Sequence, residues 1–353
     1  MIGASAGGLP VLCELMRGLP GRLPAAVFIV VHTSADSPGV LPQILNRFGS
    51  LPAAFARDGE AITSGRIYVA PPDHHLLLER GRVRVTHGPK ENGFRPAVDP
   101  MFRTAARSYG PRTIGLVLSG ALNDGTHGLS LIADVGGVAL AQDPQEALIP
   151  SMPLSAIQNV EVRRVLHSTE IAAALTDLVR EQVDDPVTAP AHAPDVTLVG
   201  ASLQQRPPPG VPSGYTCPEC GGAMWEVHES GKLLRFRCHV GHGFTAETLI
   251  ARQEYDLEAA MWTALRTLEE HVALCRRMVE RAAERGLDGL ATRYARDAED
   301  GAARAEVIRA ALERTMLHAP HPADDDALAQ MHPADAAPLE PAPAAQGPQH
   351  TNE

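Results

Sequence analysis

Residues 1–8 read MIGASAGG and place one serine, Ser5, among glycines and alanines, directly before a stretch with helical spacing. Glycine stands two positions before and two positions after Ser5. This is the G-x-S-x-G pattern of a sharp strand-to-helix turn that projects a serine hydroxyl. Glycine also tolerates the strained backbone of such a turn. A plain tight turn or a phosphate cradle fits the same letters, so these residues alone leave the role of Ser5 open.

Apolar strands and helical stretches alternate outward from this turn. Residues 25–31 (AAVFIVV) and 113–118 (TIGLVL) are unbroken apolar runs, which are typical of parallel strands buried on both faces. Helical apolar spacing lies between and beside them, as in residues 41–48 and 100–109. The alternation predicts an α/β fold with a doubly wound, mostly parallel sheet and helices on both faces.

The first strand of this sheet is short in the sequence. Only Met1 and Ile2 precede Gly3, whereas strands usually have about five residues. A gap in the centre of a parallel sheet would leave backbone groups of the neighbouring strands unsatisfied. We therefore expect a truncated first strand, with the natural start of the chain upstream, rather than a fold without its central strand.

Polar residues follow three of the predicted strands, namely Ser5, His32 and Asp124. In open α/β sheets the functional crevice lies outside the carboxyl ends of the strands, where the strand order reverses. Nucleophilic acyl transfer uses these three residue types: the imidazole takes the serine proton, and the carboxylate holds the imidazole in the correct tautomer. We therefore predict Ser5, His32 and Asp124 as catalytic residues.

Three other histidines compete with His32 for the role of base. His127 follows Asp124 by three residues at the predicted start of a helix, and His74 and His75 adjoin a predicted hairpin. A purely structural interpretation also exists, with His32 at a strand end in solvent and Asp124 as an ordinary turn residue before glycine.

Seven stretches carry a family resemblance: GASAGG at 3–8, VVH at 30–32, VAPPDHHL at 69–76, RPAVD at 95–99, SGALNDG at 119–125, AQD at 141–143 and MP at 152–153. In this order they resemble the catalytic domain of the chemotaxis protein-glutamate methylesterases, the CheB type. The resemblance implies that Ser5 is the nucleophile, His32 the base and Asp124 the orienting carboxylate. It also implies a substrate, the methyl-esterified glutamate of a methyl-accepting chemotaxis receptor, or a receptor glutamine for deamidation.

The sequence departs from the family pattern in three places. Ala6 stands where the family often has threonine, and residues 120–125 read GALNDG where the family has G-M-G-x-D-G. Chemotaxis members carry a receiver domain before the catalytic domain, whereas nothing precedes the Ser5 turn here, so we expect control without a linked receiver. Two alternatives stay open: a catalytically idle adaptor that acts through the second half, and an esterase for a protein outside chemotaxis.

Composition divides the chain into five segments. We expect a catalytic domain over residues 1–183, a proline-rich linker over 184–213, a zinc-ribbon-like module over 214–245, a helical hairpin or coiled coil over 246–318 and a disordered tail over 319–353. Apolar residues recur every three or four positions along the fourth segment. This stripe favours packing of the hairpin on itself over dimerisation, and self-association through these helices is the alternative.

A metal site is predicted in the third segment. Cys217 and Cys220 form a C-x2-C pair, and Cys238 and His242 offer a second pair after 17 intervening residues. Two such pairs can surround one tetrahedral Zn²⁺. His239 could replace His242, although it adjoins Cys238 and has less freedom to turn inward. The sequence shows no water-polarising group nearby, so we expect a structural zinc and no cofactor for catalysis.

Charge and hydropathy limit the partners. The formal net charge of −11 disfavours nucleic acid as a partner. Five cysteines in an uneven set indicate a reducing compartment and metal binding rather than disulfides. No run of about 18 apolar residues and no signal-like start occur, so we expect a cytoplasmic protein without membrane insertion.

Overall fold

The computed structural model describes residues 1–183, 210–227 and 233–316. Most of the predicted linker and the predicted tail over 319–353 lie outside these residues. The strands of the first half are β1 (Ile2–Ala4), β2 (Val27–Val31), β3 (Ala53–Phe55), β4 (Ile67–Val69), β5 (His75–Glu79), β6 (Arg82–Thr86), β7 (Ile114–Val117), β8 (Val138–Gln142) and β9 (Arg164–Leu166). Its α-helices are α1 (Gly8–Gly18), α2 (Leu41–Phe48), α3 (Val98–Tyr109), α4 (Thr126–Asp134), α5 (Ser151–Asn159) and α6 (Ser168–Leu178).

Seven strands form one parallel sheet in the order β3-β4-β2-β1-β7-β8-β9. β1 has three residues and lies at the centre, where Gly3 pairs with Val30 on one side and with Val117 on the other. The chain fills one side of β1 first and then crosses to the other, so the strand order reverses between β1 and β7. The predicted doubly wound α/β fold is confirmed.

Helices cover both faces of this sheet. On one face α1, α2 and α6 contribute Leu12, Leu45 and Leu175 to a core with Ile29 of β2. On the other face α3, α4 and α5 contribute Phe102, Leu129 and Met152, which pack with Val117 and its neighbours. Each strand of the centre therefore buries both of its faces, which explains the unbroken apolar runs in the sequence. The antiparallel hairpin β5–β6 packs against α3 at the side of the sheet.

A four-stranded antiparallel sheet follows in the second half. Its strands are β10 (Val211–Thr216), β11 (Ala223–Val227), β12 (Arg235–Cys238) and β13 (Gly243–Thr245), in that order across the sheet. β10 begins at Val211 and so includes the last three residues of the segment 184–213 that the sequence predicts as a linker. Pro212 is tolerated there because β10 is an edge strand, paired only with β11 among the described strands.

Two long helices complete the described chain, α7 (Ala246–Glu284) and α8 (Asp288–Met316). The apolar stripe of α7 packs on α8, with Leu265 against Leu312 in one cluster and Val272 against Ala298 in another. The helices form the predicted hairpin. Within the described ranges, no helix combines the length and apolar character that a membrane crossing requires.

Candidate active site

Ser5 lies directly after β1, in the turn that leads into α1. The Ser5 N–H donates to the Ser119 carbonyl, 2.9 Å away, and the Gly8 N–H donates to the Ser5 carbonyl at 3.0 Å. Gly7 has a φ of 79°, a left-handed conformation that favours glycine. A Cβ on Gly7 would also lie 2.6 Å from the Ser119 Oγ and from Leu148. The small residues of this stretch thus allow β1 to pass into α1 with Ser5 at the strand end.

Ser5, His32 and Asp124 meet at the carboxyl edge of the sheet, beside the reversal of strand order. His32 Nδ1 lies 3.0 Å from Ser5 Oγ, and His32 Nε2 lies 2.8 Å from Asp124 Oδ2. Because an ionised carboxylate only accepts hydrogen bonds, His32 Nε2 carries the ring proton and Nδ1 is free to accept the Ser5 hydroxyl. All three residues are buried, with exposed fractions of 2%, 2% and 0%.

The imidazole of His32 is held from two sides. Its backbone N–H donates to the Ala4 carbonyl at 3.1 Å, which ties the end of β2 to the end of β1. The Phe94 ring stacks on the imidazole with 3.7 Å between ring centroids and 8° between ring planes. The imidazole therefore has little room to rotate away from Ser5.

The other candidate bases occupy different surroundings. His75 Nδ1 accepts the Ala97 N–H at 3.3 Å, and His75 Nε2 lies 2.9 Å from the Pro89 carbonyl, so both ring nitrogens bind backbone. Burial lowers the pKa of His75. His74 Nδ1 lies 2.9 Å from the Pro72 carbonyl, and His127 is buried in the first turn of α4. The ring of His32, by contrast, contacts Ser5 Oγ directly, at 3.0 Å from Nδ1.

The carboxylate of Asp124 accepts hydrogen bonds on both oxygens. Oδ2 accepts the Val98 N–H at 2.6 Å besides His32, and Oδ1 accepts the Asn92 amide at 2.9 Å and the Asp99 N–H at 3.3 Å. Burial acts to raise the pKa of Asp124, but the hydrogen bond and charge of His32, together with the Val98 and Asn92 donors, bring this pKa below its ordinary value. Asp124 is therefore the ionised member of the site.

A second buried carboxyl, Asp99, adjoins Asp124. Asp99 Oδ1 accepts the Gly128 N–H at 2.7 Å, and Asp99 Oδ2 accepts the Asn92 amide at 3.0 Å. Burial, followed by the charge of Asp124, raises the pKa of Asp99 from 3.8 to about 7. The two carboxyls thus hold one proton between them over much of the acidic range, and that proton resides on Asp99.

Sequence reasoning missed three residues of this site: Asn92, Phe94 and Asp99. Asp99 lies in the RPAVD stretch that carries the family resemblance, so that motif could have indicated it. Asn92 and Phe94 lie in an irregular segment before α3 that has neither helical nor strand periodicity. No signal in the sequence singles them out.

A second cluster joins Cys217, Cys220, Cys238 and His242, whose ligand atoms all lie within 4.8 Å of one another. The Sγ atoms of Cys220 and Cys238 are 3.7 Å apart, and His242 Nδ1 lies 3.5 Å from Cys238 Sγ. Sulfur ligands about 2.3 Å from a tetrahedral Zn²⁺ lie about 3.8 Å from each other, so the spacing fits this ion. His242, rather than the alternative His239, is the histidine of the cluster.

The fold and the site define an α/β protein that presents a serine, a histidine and an aspartate in hydrogen-bond contact at the reversal point of a doubly wound sheet. Residues 1–175 match the family described as CheB methylesterase. A relative from Leptospira interrogans, named putative protein-glutamate methylesterase/protein-glutamine glutaminase, is 39% identical over 173 residues, which are 49% of this chain and 90% of the relative. The chain belongs to the CheB methylesterase family.

Two further similarities cover the same half of the chain. Protein-glutamate methylesterase/protein-glutamine glutaminase 2 of Anaeromyxobacter dehalogenans is 39% identical over 180 residues, 51% of this chain and 53% of that protein. The chain thus spans about half the length of this relative. The crystal structure of the Thermotoga maritima CheB methylesterase catalytic domain is 33% identical and covers 50% of this chain and 96% of its own, with a TM-score of 0.48.

Proposed function

We propose that this protein is a serine hydrolase that removes methyl esters from protein glutamates and deamidates protein glutamines, with Ser5, His32 and Asp124 as its catalytic residues. The observation that carries the proposal is the unbroken series of contacts from Ser5 Oγ to His32 Nδ1 at 3.0 Å and from His32 Nε2 to Asp124 at 2.8 Å. Membership of a family whose relatives are named for this activity supports it.

The reaction follows from the positions of the protons. Ser5 Oγ attacks the side-chain carbonyl carbon of the substrate while His32 Nδ1 takes the hydroxyl proton. Asp124 holds the Nε2–H and stabilises the imidazolium that forms. The imidazolium then gives its proton to the leaving group, so methanol or ammonia departs and an acyl-enzyme stays on Ser5. Water attacks this ester with His32 again as base, which frees the glutamate and restores the serine.

The substrate is, on this proposal, a methyl-accepting chemotaxis receptor, and the protein works in the cytoplasm. The family relationship supports this substrate class. Ala6 adjoins the nucleophile, and Leu122 near Asp124 has a left-handed φ of 60°. These are the positions where the sequence departs from the family pattern, so an ester on a protein outside chemotaxis is the second candidate.

We also propose a structural Zn²⁺ held by Cys217, Cys220, Cys238 and His242. The donor set of three thiols and one imidazole is typical of structural zinc, and the sulfur spacing fits a tetrahedral centre. Bound there, zinc would supply folding free energy to the small sheet β10–β13 and no step of the hydrolysis.

Self-association through α7 and α8 stays a prediction, since the described contacts join these two helices to each other.

Methanol release from a methylated chemoreceptor cytoplasmic fragment tests the proposal, with the full chain beside its Ser5→Ala variant. Loss of a triad nucleophile typically costs several orders of magnitude in rate, so we expect release by the wild type alone. Release by both proteins at one rate would refute the role of Ser5.

A second measurement separates the alternatives when neither protein releases methanol. A serine-directed fluorophosphonate should label Ser5 in the wild type if the protein is an esterase with another substrate. A folded wild-type chain that takes no label at Ser5 would contradict the hydrolase proposal and favour the adaptor.

A further inference from the structure

The second half of the chain contacts the segment that supplies Asn92 and Phe94 to the active site. The Asn92 N–H donates to the Gly243 carbonyl at 2.7 Å, and the Gly243 N–H donates to the Lys90 carbonyl at 3.2 Å. These two bonds pair Glu91 with Gly243 as a parallel bridge between the segment and β13. The irregular segment before α3 is thus paired with β13, a strand that lies about 150 residues later in the sequence.

Buried charge joins the same two parts of the molecule. Glu91 is fully buried and forms ion pairs with Arg103 of α3 at 2.7 Å and with Arg235 and Arg237 of β12 at 3.1 Å each. The positive charges of these arginines keep the pKa of Glu91 well below its ordinary value, although burial opposes them. Buried charges are stable only when they are paired. These ion pairs therefore make the stability of β12 and that of the first half of the chain depend on each other.

The side chain of Asn92 connects this contact to the catalytic carboxylate. Its amide nitrogen donates to Asp124 Oδ1 at 2.9 Å, and its carbonyl oxygen accepts the Thr245 N–H at 3.1 Å and the Thr248 hydroxyl at 3.2 Å. An amide has fixed donor and acceptor ends. Thr245 and Thr248, at the start of α7, donate to the carbonyl oxygen of Asn92. They therefore determine that its amide nitrogen faces Asp124.

Asn123, the residue before Asp124, is bound at both ends by the same helix start. Its amide nitrogen donates to Glu247 Oε2 at 2.7 Å, and its carbonyl oxygen accepts the Thr245 hydroxyl at 2.8 Å. Thr245 is also the N-cap of α7 and accepts the Thr248 N–H at 3.2 Å. The hydroxyl of Thr245 thus joins the helix cap to the loop that holds the catalytic carboxylate.

We propose that the first turn of α7 is part of the catalytic apparatus, with Thr245, Glu247 and Thr248 as positioning residues that hold Asp124 through Asn92 and Asn123. The proposal rests on the proposed hydrolase function. The second half is then neither a separate adaptor nor a passive extension, because it completes the buried polar network around the carboxylate. His32 Nε2 lies 2.8 Å from Asp124 Oδ2. A displacement of this carboxylate by about 1 Å is enough to lower the rate of the reaction substantially.

The test compares two substitutions at Thr248 in the full chain. Thr248→Val keeps the shape but removes the hydroxyl that donates to Asn92, whereas Thr248→Ser keeps the hydroxyl. In methanol release we expect Thr248→Val to lower kcat about tenfold or more with KM within about twofold, and Thr248→Ser to restore kcat to within about threefold of the wild type. Thr248 also completes the capping box of α7, where its hydroxyl accepts the Thr245 N–H at 2.9 Å. A merely structural role would therefore lower the stability of Thr248→Val but leave its kcat per folded molecule at the wild-type value.

The matched control is Thr267→Val. Thr267 is an exposed threonine of the same helix, 19 residues after Thr248, and its hydroxyl donates to the Thr263 carbonyl at 2.8 Å. We expect Thr267→Val to retain the wild-type kcat. Equal kcat values for Thr248→Val and Thr267→Val in folded proteins would overturn the proposal.

Glu247→Ala keeps the proposal testable if Thr248→Val does not fold. Glu247 is exposed, so its truncation should leave the fold intact, but it removes the acceptor of the Asn123 amide. We expect kcat to fall about threefold. Asn123→Ala should lower kcat by a smaller factor when it is added to Glu247→Ala than when it is made alone, because the two changes share the contact between Asn123 and Glu247, and Asn123→Ala alone also removes the acceptor of the Thr245 hydroxyl. Unchanged kcat in Glu247→Ala would count against the proposal.

The proposed hydrolase function is tested separately from the positioning role of α7. A wild-type chain that neither releases methanol nor takes fluorophosphonate at Ser5 would refute the hydrolase itself. If Ser5 takes the label but no receptor releases methanol, the labelling rate replaces kcat as the readout for the Thr248 pair. An active wild type with equally active Thr248→Val and Glu247→Ala variants would refute only the positioning role.

Discussion

At the scale of single residues, the protonation of Asp99 affects this site most directly. Asp99 and Asp124 share the Asn92 amide, and only Asp124 has His32 as a partner. Asp124 therefore keeps the negative charge that the proposed mechanism requires. Asp99 stays neutral below about pH 7 because its own ionisation would place a second charge in a buried site.

Asp99→Asn should change how stability depends on pH. In the folded protein Asp99 binds a proton up to about pH 7, whereas its ordinary pKa is 3.8. Between these pH values the folded state holds more protons than the unfolded state, so the contribution of Asp99 to the free energy of unfolding falls as pH rises. The fall is at most about 1.4 kcal/mol per pH unit and ends near pH 7.

Urea unfolding at pH 5 and pH 8 checks this expectation. Asparagine resembles the neutral acid, so the variant should lose less stability than the wild type between the two pH values. The difference between the two proteins isolates Asp99 from other titrating groups. The same loss in both proteins would show that Asp99 titrates at its ordinary pKa.

At the scale of elements, sequence periodicity predicted the long and central elements but missed the short edge strands. The apolar stretch at 41–48 coincides with α2, and the buried runs contain β2 and β7. β3 and β9 have only three residues each and lie at the two edges of the sheet. Three residues are too few for an alternating or continuous apolar pattern, so pairing with β4 and β8 determines them instead.

The sheet β10–β13 should require its metal. The four predicted ligands connect the β10–β11 turn to the β12–β13 turn, and the core of the sheet contains few other buried side chains, such as Met224, Phe236 and Phe244. Such a small core rarely supports a fold alone. We expect one Zn²⁺ per chain in the purified protein, measured by plasma mass spectrometry, and little or none in Cys238→Ser.

Cys275→Ala is the matched control for the metal measurement. Cys275 is buried between α7 and α8, outside the cluster of ligands. Its replacement should leave one Zn²⁺ per chain. Zinc retained at full stoichiometry in Cys238→Ser would contradict the proposed ligand set.

At the scale of the whole molecule, the described halves share one buried ionic cluster. Glu91 of the first half lies between Arg103 of its own half and Arg235 and Arg237 of β12. Unfolding of either half alone would expose or unpair the buried charges of this cluster. We therefore expect the wild type to unfold in a single cooperative transition, although its sequence divides into segments of different composition.

Glu91→Gln should break this cooperativity. The substitution keeps the shape but leaves three arginines without their common carboxylate, at a cost of about 3–5 kcal/mol in the free energy of unfolding. Scanning calorimetry should then show a lower first transition, separate from the second. The control is Asp58→Asn, where the side chain is 54% exposed and pairs with Arg84. Its cost should be about 1 kcal/mol or less, and equal costs for both variants would contradict the buried-cluster argument.

The sequence by itself determined the α/β alternation, the places of Ser5, His32 and Asp124 after their strands, and the spacing of the four predicted zinc ligands. These features follow from local patterns, because periodicity, turn chemistry and ligand spacing act over a few residues to a few tens of residues. They also place the three catalytic candidates at one edge, since parallel strands end on the same side of a sheet.

Only the tertiary structure decided what surrounds Asp124. Asn92 contacts Thr245 and Thr248 across more than 150 residues of sequence, and Glu91 contacts Arg237 across 146. No periodic pattern connects positions so far apart. These contacts exist because buried polar and charged groups must find partners wherever the packed chain brings them. That requirement, rather than any local motif, brings the start of α7 to the network around the carboxylate of Asp124.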